Sequence, residues 1–113
     1  MGAPPAARKR AAAQRAAQQA LRDRQRADAH RKHLDELARD PAAAWAEVER
    51  LINTKAPAQY DMAVTLLKDP EELAQRTGGQ PQEFGRRYTA LRKAHARKHG
   101  LITRLDRARL TVP

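Results

Sequence analysis

The chain has 113 residues, with 23 Lys/Arg against 13 Asp/Glu, a formal charge of +10 and a pI near 11.0, a length that allows one small domain. It contains neither cysteine nor serine, which excludes thiol and serine nucleophiles, disulfides, iron–sulfur ligation and every Cys-based zinc site. Hydrophobic residues make up 41% of it and aromatic ones 4%, and more than half of the hydrophobic residues are alanine, so the core must be thin. No stretch approaches the roughly 18 consecutive apolar residues of a membrane span and no Leu-rich segment follows Met1, so a soluble, cytoplasmic chain with no membrane contact is expected.

Residues 1–33 carry nine Lys/Arg and two acids. After Pro4 and Pro5 the chain runs without Gly or Pro to Asp40, in Ala, Gln, Arg and Leu, all good helix formers. Between Ala6 and Ala29, however, Leu21 is the only large apolar residue, so a helix there has almost nothing to bury. The expectation is disorder to about Ala12, then a solvated, fraying helix that docks only near Leu34 and Leu37. Residues 1–39 therefore read as a basic arm.

Residues 34–85 reverse the balance, with five Lys/Arg and ten acids. Asp40-Pro41 predicts an N-cap followed by proline at the first helical position, where its missing N–H costs nothing. Trp45, Val48, Leu51 and Ile52 then form one apolar stripe on a helix ending near Thr54. Ala56 before Pro57 is pushed out of the helical region. A second helix follows from about Ala58, with Tyr60, Ala63, Val64 and Leu67 on one face. Asp69-Pro70-Glu71-Glu72 resembles a fresh N-cap and first turn, so this helix either kinks or restarts there. Thr77-Gly78-Gly79 ends it.

Residues 86–113 return to nine Lys/Arg against one acid. Gln80-Pro81 opens a third helix in which Phe84, Tyr88, Leu91 and His95 share a face, and which Gly100 closes after a basic last turn. Leu101, Ile102, Leu105 and Leu110 mark a short fourth helix. With no strand-like alternation, the prediction is an all-α fold of stacked antiparallel helical hairpins, a TPR-like or bundle arrangement over residues 40–113, preceded by the long basic arm.

The string LINTKAPAQYDMAVTLLKD, then Leu73-Ala74, Phe84, LRKAHARK from Leu91 to Lys98 and RLDRARL from Arg104 to Leu110, resembles a helical module of uncharacterised actinobacterial proteins, similar to the region C-terminal to SWIM-type zinc fingers. Thr54-Lys55, Pro57, Tyr60-Asp61, Ala63-Val64 and Leu66-Leu67 are its most specific part. The chain departs from it at Pro70, where the module has leucine, and at Arg109, where it has glycine. The finger itself is absent, since it needs cysteines. The resemblance implies a fold and no active site, cofactor or metal.

Candidate chemistry is sparse. His30/His33 and His95/His99 have helical spacings suited to a metal, yet neither pair has a third ligand at helical spacing and both lie among cations, so exposed or helix-terminal histidines are expected. The acids of Asp35-Glu36, Glu47/Glu49 and Glu71-Glu72 do not converge, because neighbouring helical residues point about 100° apart. No catalytic residue is assigned and no enzymatic activity is expected. Trp45, Tyr60, Phe84 and Tyr88 read as core rather than as a stacking platform, with Tyr60 the one expected to reach outward.

The basic blocks carry the functional expectation. Arg8, Lys9, Arg10, Arg15, Arg22, Arg24, Arg26, Arg31 and Lys32 on the arm form a phosphate-neutralising element. Arg86, Arg87, Arg92, Lys93, Arg97 and Lys98 cover the outer faces of the third helix, and Arg104, Arg107 and Arg109 add to them. The expected partner is nucleic acid, bound with low specificity, or an acidic protein. Two other readings stay open: a solvated face or docking of these blocks on the acidic middle, and a helical-repeat adaptor for another protein.

Overall fold

The computed structural model describes residues 2 and 4–112. It is all-α, with five helices: α1 Pro5–Arg39, α2 Pro41–Asn53, α3 Pro57–Gln75, α4 Pro81–Ala94 and α5 His99–Ala108, and no strand among the described residues. None of these helices is long and apolar enough to cross a membrane. The chain divides into two compact units, residues 1–33 and 34–113.

The first unit holds the greater part of α1, whose helix starts at Pro5, well ahead of the expected start after Ala12. Pro5 takes the first helical position, where a fixed φ favours the helix and no backbone donor is lost. Along this segment the helix is polar on every side and its one large apolar side chain, Leu21, is exposed. It is laced instead by local pairs: Arg26 with Asp23, Arg31 with Asp28 at 2.5 Å, and Gln19 with both Asp23 and Arg22 at 2.8 and 2.9 Å. Each aspartate precedes its arginine by one turn, the spacing that brings side chains together on a helix surface.

The second unit holds the core. Leu34 is buried at the end of α1, and Asp35 pairs with Arg76 at 2.8 Å. The Asp40 carboxylate accepts the Ala43 N–H at 3.3 Å and Pro41 opens α2, as the sequence predicts. Ala56 is extended and Pro57 opens α3, again for the local reason stated above. Helix α3 is the centre of the unit and packs against α2, α4 and α5. Val48, Leu51 and Ile52 of α2, Ala63 and Leu67 of α3, Phe84 and Leu91 of α4, and Leu101 and Leu105 of α5 close the core around it. Each fully buried leucine or isoleucine is worth about 1.5–3 kcal/mol relative to exposure.

Of the two alternatives at Pro70, a kink or a restart, there is no restart: helix α3 runs through it to Gln75, and Pro70 itself is buried, so packing outweighs the lost backbone bond. The boundary between α4 and α5 differs from the sequence reading. Helix α4 stops at Ala94, and residues 95–97 form a turn. Gly100 therefore lies in the first turn of α5 and is not a C-terminal cap. Tyr60 is buried, whereas Trp45 is the aromatic left partly exposed.

Candidate functional site

The cations fall into two groups, set by what surrounds them. On α1, Arg8, Lys9, Arg10, Arg15, Arg22, Arg24, Arg26, Arg31 and Lys32 are all exposed. Arg22 bonds to Gln19, Arg26 to Asp23 and Arg31 to Asp28, each within one turn of the same helix. Arg8, Lys9, Arg10, Arg15, Arg24 and Lys32 have no ion pair among the described residues. The cause is compositional, because this segment has nine Lys/Arg and only two acids to pair with them.

In the second unit six of the fourteen Lys/Arg form ion pairs among the described residues, Arg50, Arg76, Arg86, Arg87, Arg92 and Arg104. Arg86 and Arg87 both bond to Glu83, the latter at 3.1 Å, and the Arg87 guanidinium lies 6.0 Å from the Trp45 ring centre. Arg92 donates to the Tyr88 hydroxyl at 3.3 Å and pairs with Asp106 at 2.7 Å. These two bonds, the tyrosine's the larger, raise the Arg92 pKa further above its ordinary value. Arg104 pairs with Asp61 at 2.6 Å and donates to the Gly100 carbonyl at 2.9 Å. Lys93 and Arg97 are exposed and unpaired among the described residues. Arg97 and Lys98 lie beyond the end of α4 rather than on its outer face, because that helix stops at Ala94.

The histidines differ in burial. His30 and His33 stand about one turn apart on α1 and are exposed. His95 and His99 do not share a helical face, since the turn intervenes. His95 is 8% exposed, with Nε2 2.7 Å from Glu49 Oε2 and Nδ1 2.8 Å from Lys98 Nζ. No spacing signal connects α2 to this turn, so the trio could not be found locally. The acids have structural partners too: Asp35 holds Arg76, Glu47 holds Arg50 at 2.5 Å, and Glu71 accepts the Thr111 N–H at 2.5 Å.

Two surface features complete the unit. A cleft of about 430 Å³ is lined by Leu37, Pro41, Trp45, Pro70, Leu73, Phe84 and Arg87 among others. Trp45 and Phe84 meet there with ring centres 5.7 Å apart. A shallow groove elsewhere brings Asp61, Thr65 and Lys68 of α3 opposite Arg104 and Arg107 of α5. Lys68 was not singled out by sequence, although its i+7 spacing from Asp61 places it on the same face of α3. No protein-family model matches the chain, and no curated protein or solved structure compared with it is detectably similar.

Proposed function

We propose that this chain is a non-enzymatic, cytoplasmic accessory module that binds nucleic-acid backbone through the cations of α1, without base specificity. The observation that carries this reading is the contrast between the two units. Among the described residues six of the fourteen Lys/Arg of the second unit form ion pairs, Arg50, Arg76, Arg86, Arg87, Arg92 and Arg104, while α1 leaves Arg8, Lys9, Arg10, Arg15, Arg24 and Lys32 exposed and without ion pairs. Phosphate neutralisation by such side chains releases counterions, so affinity must fall steeply with salt. Binding of the full chain to generic nucleic acid is expected at about 50 mM salt, with a loss of two or more orders of magnitude by about 200 mM. No binding at low salt, or binding indifferent to salt, would refute it.

The cleft at Trp45 favours a second reading, a helical adaptor that takes up an apolar segment of another protein. In that case the resemblance to the helical module beside SWIM-type zinc fingers makes such a finger protein the partner. Deleting residues 1–33 separates the two. Nucleic-acid binding should collapse under the first reading, and protein binding should survive under the second.

A further inference from the structure

Because α1 is helical from Pro5 onward, the angular position of each of its arginines is set. At about 100° per residue, Arg8, Arg15, Arg22 and Arg26 fall within about 40° of one another around the axis. Their spacings of seven, seven and four explain why. Each seven-residue step falls back by about 20°, and the four-residue step restores the loss, so the row runs straight along an unsupercoiled helix. It spans about 27 Å at 1.5 Å per residue. All four side chains are exposed, and neither acid of residues 1–33, Asp23 or Asp28, lies within the arc. Lys9, Arg10, Arg24 and Lys32, by contrast, are scattered over the rest of the circumference.

We infer that this row is a contact surface for double-stranded DNA, a conclusion that rests on the nucleic-acid reading above and narrows it. Affinity for single strands comes largely from bases stacking on aromatic rings. Helix α1 has no Phe, Tyr or Trp, the first of which in the chain is Trp45. A straight row of guanidinium groups complements a charge pattern that is itself rigid and regular, with a phosphate on every 1.7 Å or so of duplex axis. The B-form major groove admits an α-helix, whereas the deep, narrow major groove of A-form RNA does not. The flanks of the row are small or polar, Ala11, Ala12, Gln18 and Gln19, so nothing bulky holds the helix away from the phosphates. Arg26 shares its guanidinium with Asp23, an exposed pair that exchanges readily for a phosphate.

The test uses the full chain in fluorescence anisotropy with a 25-base-pair DNA duplex, the corresponding DNA single strand and the corresponding RNA duplex, over a salt series. The DNA duplex is expected to bind at least about tenfold tighter than either of the others. A charge-matched pair of variants follows: Arg8→Gln/Arg15→Gln/Arg22→Gln/Arg26→Gln against Lys9→Gln/Arg10→Gln/Arg24→Gln/Lys32→Gln. Glutamine favours helix about as well as the residues it replaces, and circular dichroism verifies that α1 persists. The row variant should lose at least about tenfold more affinity than its counterpart and reduce the salt slope by about 3 to 4. Equal affinity for all three nucleic acids, or equal losses in the two variants, overturns the duplex inference while leaving backbone binding standing. Absence of salt-dependent binding to any of the three overturns both. The three-ligand comparison needs no variant, so misfolding of a substituted chain cannot rescue the inference.

Discussion

The imidazole of His95 joins the turn after α4 to α2, with Nε2 2.7 Å from Glu49 Oε2 across a separation of 46 residues. The ammonium of Lys98, 2.8 Å from Nδ1, can only donate, so Nδ1 accepts and the Nε2–H is left to donate to Glu49. His95→Ala removes this tie and opens a gap beside the core. It is expected to lower stability by about 1–3 kcal/mol, read from urea denaturation of the full chain. Glu49→Gln, which keeps an acceptor oxygen, should cost less than half as much. Equal losses in the two variants would mean that the carboxylate is not what holds the ring.

Gly79 is confined by backbone. A Cβ added there would stand 2.3 Å from the Ala74 carbonyl oxygen and 2.5 Å from that of Leu73, and neither can swing aside as a side chain would. Gly79→Ala is expected to destabilise the second unit by about 2–3 kcal/mol. Gly78 differs in kind: its φ is +79° and an added Cβ meets nothing within 4 Å. Gly78→Ala should therefore cost only the left-handed backbone penalty, about 1–2 kcal/mol. Thermal melts that ranked the two in the opposite order would contradict this account of the α3–α4 connection.

Arg109 ends α5 at φ 50° and ψ 51°, in the left-handed region. Arg109→Gly should stabilise the chain by about 0.5–1 kcal/mol, because relief of the left-handed penalty exceeds the extra entropy lost by glycine. A lower melting temperature in the variant would show that the side chain holds the C-terminus in some other way.

Glu47 is held below its ordinary carboxyl pKa, chiefly by the hydrogen bond from Arg50 and secondarily by that residue's charge. Its folded value lies below its unfolded one, so the stabilisation from the pair is complete above the unfolded range. It is lost as the pH falls through the folded value. Both side chains are exposed, which makes the pair sensitive to salt. An NMR titration should find the Glu47 midpoint returning to the ordinary glutamate value in Arg50→Gln, and also, in part, at 1 M salt. An unchanged midpoint in the variant would remove Arg50 as the cause.

The starts of α2, α3 and α4 were legible because their causes are local. Pro41, Pro57 and Pro81 each open a helix, and Asp40 caps one of them, all within four residues of the signal. Helix ends were less so. The periodicity of Phe84, Tyr88, Leu91 and His95 continues past Ala94, and nothing nearby shows that His95 bonds to α2. For the same reason the aromatic left partly exposed beside the core is Trp45, whereas the sequence points to Tyr60, which packing around α3 buries.

By itself the sequence determined an all-α chain with a thin core, two basic blocks on either side of an acidic middle, and a basic arm with too few acids to neutralise it. These follow from composition and from spacings shorter than two helical turns. Only the tertiary structure decided which cations remain available. Arg104 reaches Asp61 across 43 residues and Arg92 reaches Asp106 across 14, whereas Arg22, Arg26 and Arg31 of α1 bond to neighbours one turn away. Charge counts treat the two blocks alike; an ion pair depends on where the fold brings its partner.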